Sequence, residues 1–182
     1  IIKLKHQKML TAQQVIDWLK MESNPNEGGY YATTGTSPLN IPNGVLPPVF
    51  PPVDGGRPVY SSIYYLIDQA SFSAMHKVTG DMIYNFYTGD PVQMLLLYPE
   101  GYSNRYEIFN FGNNIASGFL PMKVIPGGTW LGSRMITGGT YALMGVTLAP
   151  GFEPVDYFIG KRAQLVAAYP EVAEMITALT RG

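Results

Sequence analysis

The chain has 182 residues, of which 46% are hydrophobic and 14% charged, and its formal net charge is -1 from 12 basic and 13 acidic residues. This composition fits one globular domain over 1–182 and excludes disorder, while the balanced charge argues against a nucleic-acid partner, which needs a basic face. There are no cysteines, which removes disulfides, thiolate metal sites and cysteine nucleophiles and makes a reducing, cytoplasmic setting the expectation.

Residues 1–10 mix lysine with apolar side chains and lack a signal-peptide core, so they read as a flexible arm or an added tag, with Met9 a candidate initiator. Thr11 and Gln14 then form a capping-box pattern, followed by Val15, Trp18 and Leu19 on one helical face. Residues 40–58 contain two Pro-Pro pairs and predict an extended, irregular loop, a surface insertion or a lid. Short runs rich in aromatic and β-branched residues predict strands over 59–67, 82–87, 92–98, 106–109, 122–125, 129–135 and 141–148, with Gly and Pro punctuating the gaps. A last helix is expected from Pro170, with Val172, Met175, Ile176 and Leu179 at helical spacing. No internal repeat is visible, and no apolar run is long enough to span a membrane, so no membrane partner is expected. Many short strands at near-regular spacing predict an all-β sandwich or barrel, here with helices flanking it at both ends.

Six phrases then occur in a fixed order: Asn24-Pro-Asn-Glu-Gly-Gly-Tyr-Tyr31, Ser61-Ser-Ile-Tyr-Tyr-Leu66, Phe72-Ser-Ala-Met-His76, Ile83-Tyr-Asn-Phe-Tyr-Thr-Gly-Asp-Pro91, Val124-Ile-Pro-Gly-Gly-Thr-Trp130 and Gly145-Val-Thr-Leu-Ala-Pro-Gly-Phe152. Together with Asp156 and a closing Leu-Thr-Arg, they resemble one small branch of the cupin superfamily, a cupin-5-like group without an assigned function. The resemblance runs from about Val15 to Arg181. It implies a double-stranded β-helix, or jelly-roll barrel, usually a homodimer, and a distant similarity to nucleotide-sugar epimerases. An edge strand left bare in such a barrel favours the same pairing. Fold alone narrows the chemistry little.

Metal-binding members of the superfamily hold their ion with three histidines and a glutamate. The resemblance places His76, Val78, Met82 and Leu131 at those positions, so one ligand of four is present. No metal and no cofactor are therefore expected. The branch itself usually carries an acidic pair at Asp81-Met82, Trp-His at Tyr84-Asn85, a glutamine near Met122 and an arginine at Ala32, so this chain has a more apolar set.

His76 is the imidazole inside the expected domain and the candidate general base, with Tyr84, expected on the same strand face as residue 82, the candidate acid. Tyr30 and Tyr31 are further phenols beside the turn that Glu27 introduces. Met82 and Met122 stand where polar residues are usual, Lys123 and Arg134 are candidates for holding phosphate, and Trp130 could stack on a planar ring. Strand alternation allows only one of Met122 and Lys123 to face inward. Two functions fit these residues: a metal-independent isomerase or epimerase acting on a sugar, nucleotide sugar or similar small molecule, and a non-enzymatic module binding a nucleotide or other small organic ligand.

Overall fold

Strands with one apolar face must bury it, and the computed structural model, which describes residues 10–181, shows the solution. The strands are β1 (Glu22–Ser23), β2 (Tyr30–Thr36), β3 (Asn40–Ile41), β4 (Arg57–Pro58), β5 (Ser61–Asp68), β6 (Phe72–Val78), β7 (Asp81–Gly89), β8 (Val92–Leu97), β9 (Tyr106–Phe111), β10 (Met122–Ile125), β11 (Trp130–Met135), β12 (Tyr141–Ala149) and β13 (Tyr157–Ile159). One sheet runs β1-β2-β5-β12-β7-β10, and the other β13-β6-β11-β8-β9. From β5 onward the chain passes back and forth between them, which is the expected jelly roll. Met82, Met94, Leu96, Phe111, Ile125, Leu131 and Met144 fill the space between the sheets. The Phe111 ring meets Tyr84 and Phe86 edge-on, at 6.4 Å and 6.0 Å, the arrangement that ring quadrupoles favour.

Helices cover the outer faces. Helix α1 (Ala12–Leu19) begins with both halves of the Thr11–Gln14 capping box and buries Val15 and Ile16. Trp18, expected on the buried face, is 69% exposed. The helix turns Ile16 toward Leu66, Tyr141 and Leu143 on the outside of the six-stranded sheet instead. At the other end, the Pro170–Val172 segment is a single 3-10 turn leading into α3 (Ala173–Ala178). A helix that the sequence did not announce, α2 (Arg162–Ala168), precedes it. Val172, Met175, Ile176 and Leu179 do form the buried stripe, packed with Leu165 on Met75, Leu95 and Leu97 behind the five-stranded sheet. Among the described residues no helix is long and apolar enough to cross a membrane. The arm expected at 1–10 lies, apart from Leu10, outside the described residues.

The proline-rich segment is less irregular than its composition suggests. β3 and β4 pair at its base, and the Asn43 side chain donates to the Val53 carbonyl and accepts from the Val53 N–H, at 2.8 and 3.1 Å. Arg57 is fully buried and grips the Asp156 carboxylate through Nε and Nη2 at 2.7 and 2.9 Å. Its Nη1 has no hydrogen-bond partner, while the guanidinium carbon lies 5.2 Å from the centre of the Phe50 ring. A bidentate pair of this kind locks the loop base to the residue preceding β13. Arg57→Ala strands the Asp156 carboxylate in the interior. We expect a loss of about 3–5 kcal/mol of unfolding free energy in urea titration; a loss below about 1 kcal/mol would show that the pair holds nothing.

Candidate functional site

Asn24 starts the site. Its side-chain oxygen accepts from the N–H groups of Asn26 and Glu27 at 3.2 and 3.0 Å, an Asx turn that bends the chain inward. Gly28 and Gly29 follow at φ +100° and +70°. A Cβ on either would collide with a carbonyl oxygen, of Phe72 and Leu66 respectively, so only glycine lets the turn press between the sheets. Tyr65 fastens it by donating to the Gly28 carbonyl at 2.8 Å, and the N–H of Ala74 donates to the Glu27 carbonyl at 2.8 Å. The Glu27 side chain is thereby carried inside, 8% exposed.

Strand β6 meets it with a bulge. Leu131 pairs with His76 and Ser133 with Ser73, so β6 carries one residue more than β11 over that interval. Residues three apart in a regular strand face opposite ways, but here Ser73 and His76 both reach Glu27. Ser73 Oγ donates to Glu27 Oε1 at 2.8 Å, and His76 Nε2 lies 3.7 Å from the same oxygen. The other ring nitrogen, Nδ1, is 2.8 Å from the Ala74 carbonyl. A carbonyl only accepts, so Nδ1 carries hydrogen and the neutral ring presents its lone pair at Nε2. The second carboxylate oxygen of Glu27 faces Tyr157 Oη and Asn24 Nδ2, both at 3.5 Å. Tyr157 also lies over the imidazole, ring centres 5.7 Å apart.

These groups open on a cavity of about 490 Å³ between the sheets. Its deep wall is apolar, made by Ile63, Val78, Met82, Val146 and Leu148, with the Tyr84 ring among them. Its mouth carries hydroxyls and amides from Asn24, Asn26, Thr33, Thr36, Ser61 and Ser62, and the Phe152 ring. A second irregularity, one extra residue in β2 between Thr33 and Gly35, brings Thr36 to the same side as Tyr31 and Thr33. Burial, and after it the Glu27 charge, raise the Tyr65, Tyr84 and Tyr157 phenols above the ordinary tyrosine value, so all three stay protonated. Tyr84 is 2% exposed and faces the cavity beside Met82.

Of the residues singled out from the sequence, the fold gathers Glu27, Tyr31, His76, Met82 and Tyr84 around this cavity. Tyr30 faces a smaller hollow of about 210 Å³ behind the Gly28-Gly29 turn, shared with Arg181. Met122 is 52% exposed on the edge strand β10. Lys123 takes the opposite face, that of buried Ile125, as alternation requires, but it reaches across to Glu107 of β9 at 2.7 Å and does not line the cavity. Trp130 packs against the helix-covered face, with Lys77 Nζ 4.8 Å above its ring. Arg134 is exposed and donates to Gln93. The sequence reading passed over Tyr157, Tyr65 and Ser73. Tyr65 follows Ile63 at strand period and Tyr157 adjoins Asp156, whereas nothing local marks Ser73, which reaches Glu27 only through the bulge.

The four positions that the resemblance assigns to metal ligands do converge. His76, Val78 and Met82 line the cavity, and Leu131 stands opposite His76 and joins the same core. Three of the four are hydrocarbon or thioether side chains. Asp81 is exposed and accepts from the Gly127 N–H at 2.8 Å, so it does not substitute. Among the described residues no group of three or more His, Asp or Glu side chains could hold an ion. One imidazole and one carboxylate do not fit a divalent metal.

Comparison with known proteins agrees with this architecture. Residues 13–159 match the family described as Cupin superfamily (DUF985). A crystal structure of a protein from Shewanella oneidensis is 27% identical, with a TM-score of 0.79 over 95% of this chain and 99% of that one. A hypothetical protein from Leishmania major is 25% identical, with a TM-score of 0.81 over 95% and 100%. A cupin 2 conserved barrel domain protein from Rhodopseudomonas palustris, 12% identical with a TM-score of 0.55 over 87% and 83%, shares the fold alone. No curated protein matches the chain. A match over most of the chain, carried on the jelly roll, shows that the chain belongs to the cupin superfamily, in the DUF985 family.

Proposed function

We propose that this protein is a metal-independent isomerase or epimerase that moves a proton on a sugar or similar small carbonyl compound. The observation that carries the reading is the pairing, around one cavity, of an imidazole whose Nδ1 is held by a backbone carbonyl and whose Nε2 lies 3.7 Å from a carboxylate oxygen, with a phenol that burial keeps protonated. Nε2 takes the proton from the carbon next to the substrate carbonyl. The Glu27 carboxylate, 3.7 Å away, offsets the positive charge that the ring then acquires, and the Ala74 carbonyl keeps the ring in place. Tyr84 donates to the carbonyl oxygen as negative charge gathers there. For an isomer, the imidazolium gives its proton to the former carbonyl carbon while the neighbouring hydroxyl returns a proton to the phenolate. For an epimer, water protonates the opposite face of the original carbon, the resulting hydroxide takes the imidazolium proton, and the enol oxygen returns its proton to the phenolate. Either way phenol and imidazole end as they began, and no electrons are lost or gained.

His76→Asn keeps a side chain of comparable polarity and removes the base. Incubated in deuterium oxide with a panel of reducing sugars, the native protein is expected to place deuterium at the carbon next to a carbonyl. The variant should do so about two to four orders of magnitude more slowly, with its thermal unfolding unchanged. Equal incorporation by both proteins would end the general-base assignment. Tight binding without incorporation by either would favour the binding-module reading.

The state of the phenols has its own readout. Burial and Glu27 raise Tyr65, Tyr84 and Tyr157 above the ordinary value of 10.0. The folded state therefore holds these protons more tightly than the unfolded chain does. The stability they contribute is complete below about pH 10 and declines as the pH rises past it. Absorbance titration of tyrosinate is expected to leave these phenols un-ionised until the protein unfolds in alkali. Their replacement with phenylalanine should flatten the alkaline loss of stability. Full reversible ionisation of every tyrosine near pH 10 in the folded protein would contradict it.

A further inference from the structure

We infer that the cavity selects uncharged, unphosphorylated carbohydrate-like molecules and rejects phosphate esters and nucleotide conjugates. This rests on the reading of the cavity as a sugar-handling site and names the class of sugar it takes. The argument is one of charge. Among the described residues that line the cavity there is no lysine and no arginine, and the one carboxylate is Glu27. The cations that could be thought to reach it are occupied elsewhere. Arg57 is held in the interior by Asp156, Lys123 by Glu107, and Lys77 lies over Trp130 and Phe158. Arg134 is on the surface with Gln93, and Arg181 faces the smaller hollow on the far side of the Glu27 turn.

A phosphate enclosed by protein needs cations or a row of backbone N–H donors to replace its water. The groups at this mouth are instead neutral: Thr33, Thr36, Ser61, Ser62, Asn24 and Asn26. Two of the serine contacts are already committed. Ser61 Oγ accepts from the Phe152 N–H at 2.8 Å, and Ser62 Oγ lies 2.9 Å from Thr147 Oγ1. The threonines and Asn26, with an apolar wall beneath them, suit the alternating hydroxyl and C–H faces of a sugar ring. Glu27 adds an active penalty. A second negative charge about 6 Å from a carboxylate, at an effective dielectric constant near 20, loses about a hundredfold in affinity. Volume does not make the choice, since about 490 Å³ lies within the ordinary range for small-molecule sites.

The test pairs each neutral sugar with its charged derivatives. Glucose, fructose and mannose are titrated by calorimetry alongside glucose 6-phosphate, fructose 6-phosphate, mannose 6-phosphate and uridine diphosphate glucose, at constant ionic strength. At least one neutral sugar should bind, and each charged derivative should bind it at least tenfold more weakly than its parent. Glu27→Gln should narrow that gap. Thr33→Lys, at an exposed strand position on the cavity wall, should raise affinity for the phosphate esters about tenfold or more, and it keeps the test open if the Glu27 variant fails to fold. Charged members binding as well as their parents, or no neutral sugar binding at all, would overturn the inference. The deuterium experiment separates this outcome from the catalytic proposal. Neutral sugars that bind without exchange would sink the proton-transfer reading and leave the selectivity standing; exchange confined to phosphate esters would do the reverse.

Discussion

A carboxylate can be taken out of water only where donors meet it, and the burial of Glu27 dictates much of this molecule's detail. Ser73 supplies a hydroxyl at 2.8 Å, and Asn24 and Tyr157 stand at 3.5 Å on the other oxygen. These donors come from three separate elements, so satisfying one side chain fixes the position of a turn, a strand of the five-stranded sheet and the short strand β13. The constraint extends into the backbone. β6 must bulge for Ser73 and His76 to share a side, and the displaced N–H groups of Ala74 and Met75 are taken by the carbonyls of Glu27 and Leu179, each at 2.8 Å. The irregularity in the ladder is thus compensated on one side by the site turn and on the other by the end of α3.

The same charge organises the chemistry. It faces the imidazole that would become positive, and it adds to burial in holding the surrounding phenols in their neutral form. Burial and the carboxylate together thus keep the phenols protonated at neutral pH beside the imidazole. Where metal-binding relatives of this fold draw their ligands together, the present chain has Val78, Met82 and Leu131. Val78 and Met82 supply part of the apolar wall beside Glu27, where a charge is less screened than at an open surface.

The strands with strong apolar alternation were legible in the sequence, and Met122–Ile125 even in its bounds. Two strands that matter most for the site were not read as strands. Phe72–Val78 and Tyr30–Thr36 both carry a register shift, and an extra residue breaks the period-two signal on which such a reading relies. The bulges that hid them are what aim Ser73, His76, Thr33 and Thr36. His76, Tyr84 and Glu27 could be singled out because imidazole, phenol and a Glu-Gly-Gly turn are chemically conspicuous. Lys123, Trp130 and Arg134 are just as conspicuous, but their surroundings are set by Glu107, Lys77 and Gln93, partners that no local pattern in the sequence reveals.

The base of the proline-rich segment is closed twice, by the β3–β4 ladder and by the Arg57 grip on Asp156. Beyond that double clasp the loop returns to its base through Phe50, whose ring lies on Arg57, and leaves its tip to solvent. Lengthening a loop whose ends are already pinned costs little, roughly 0.6 kcal/mol per doubling, and the exposed stretch around Val45 and Val49 touches neither core nor cavity. The segment is therefore a natural socket for novelty. Chain can be added, exchanged or fused there without disturbing the pocket, so descendants of this fold are free to diversify outwardly while their interior stays conservative.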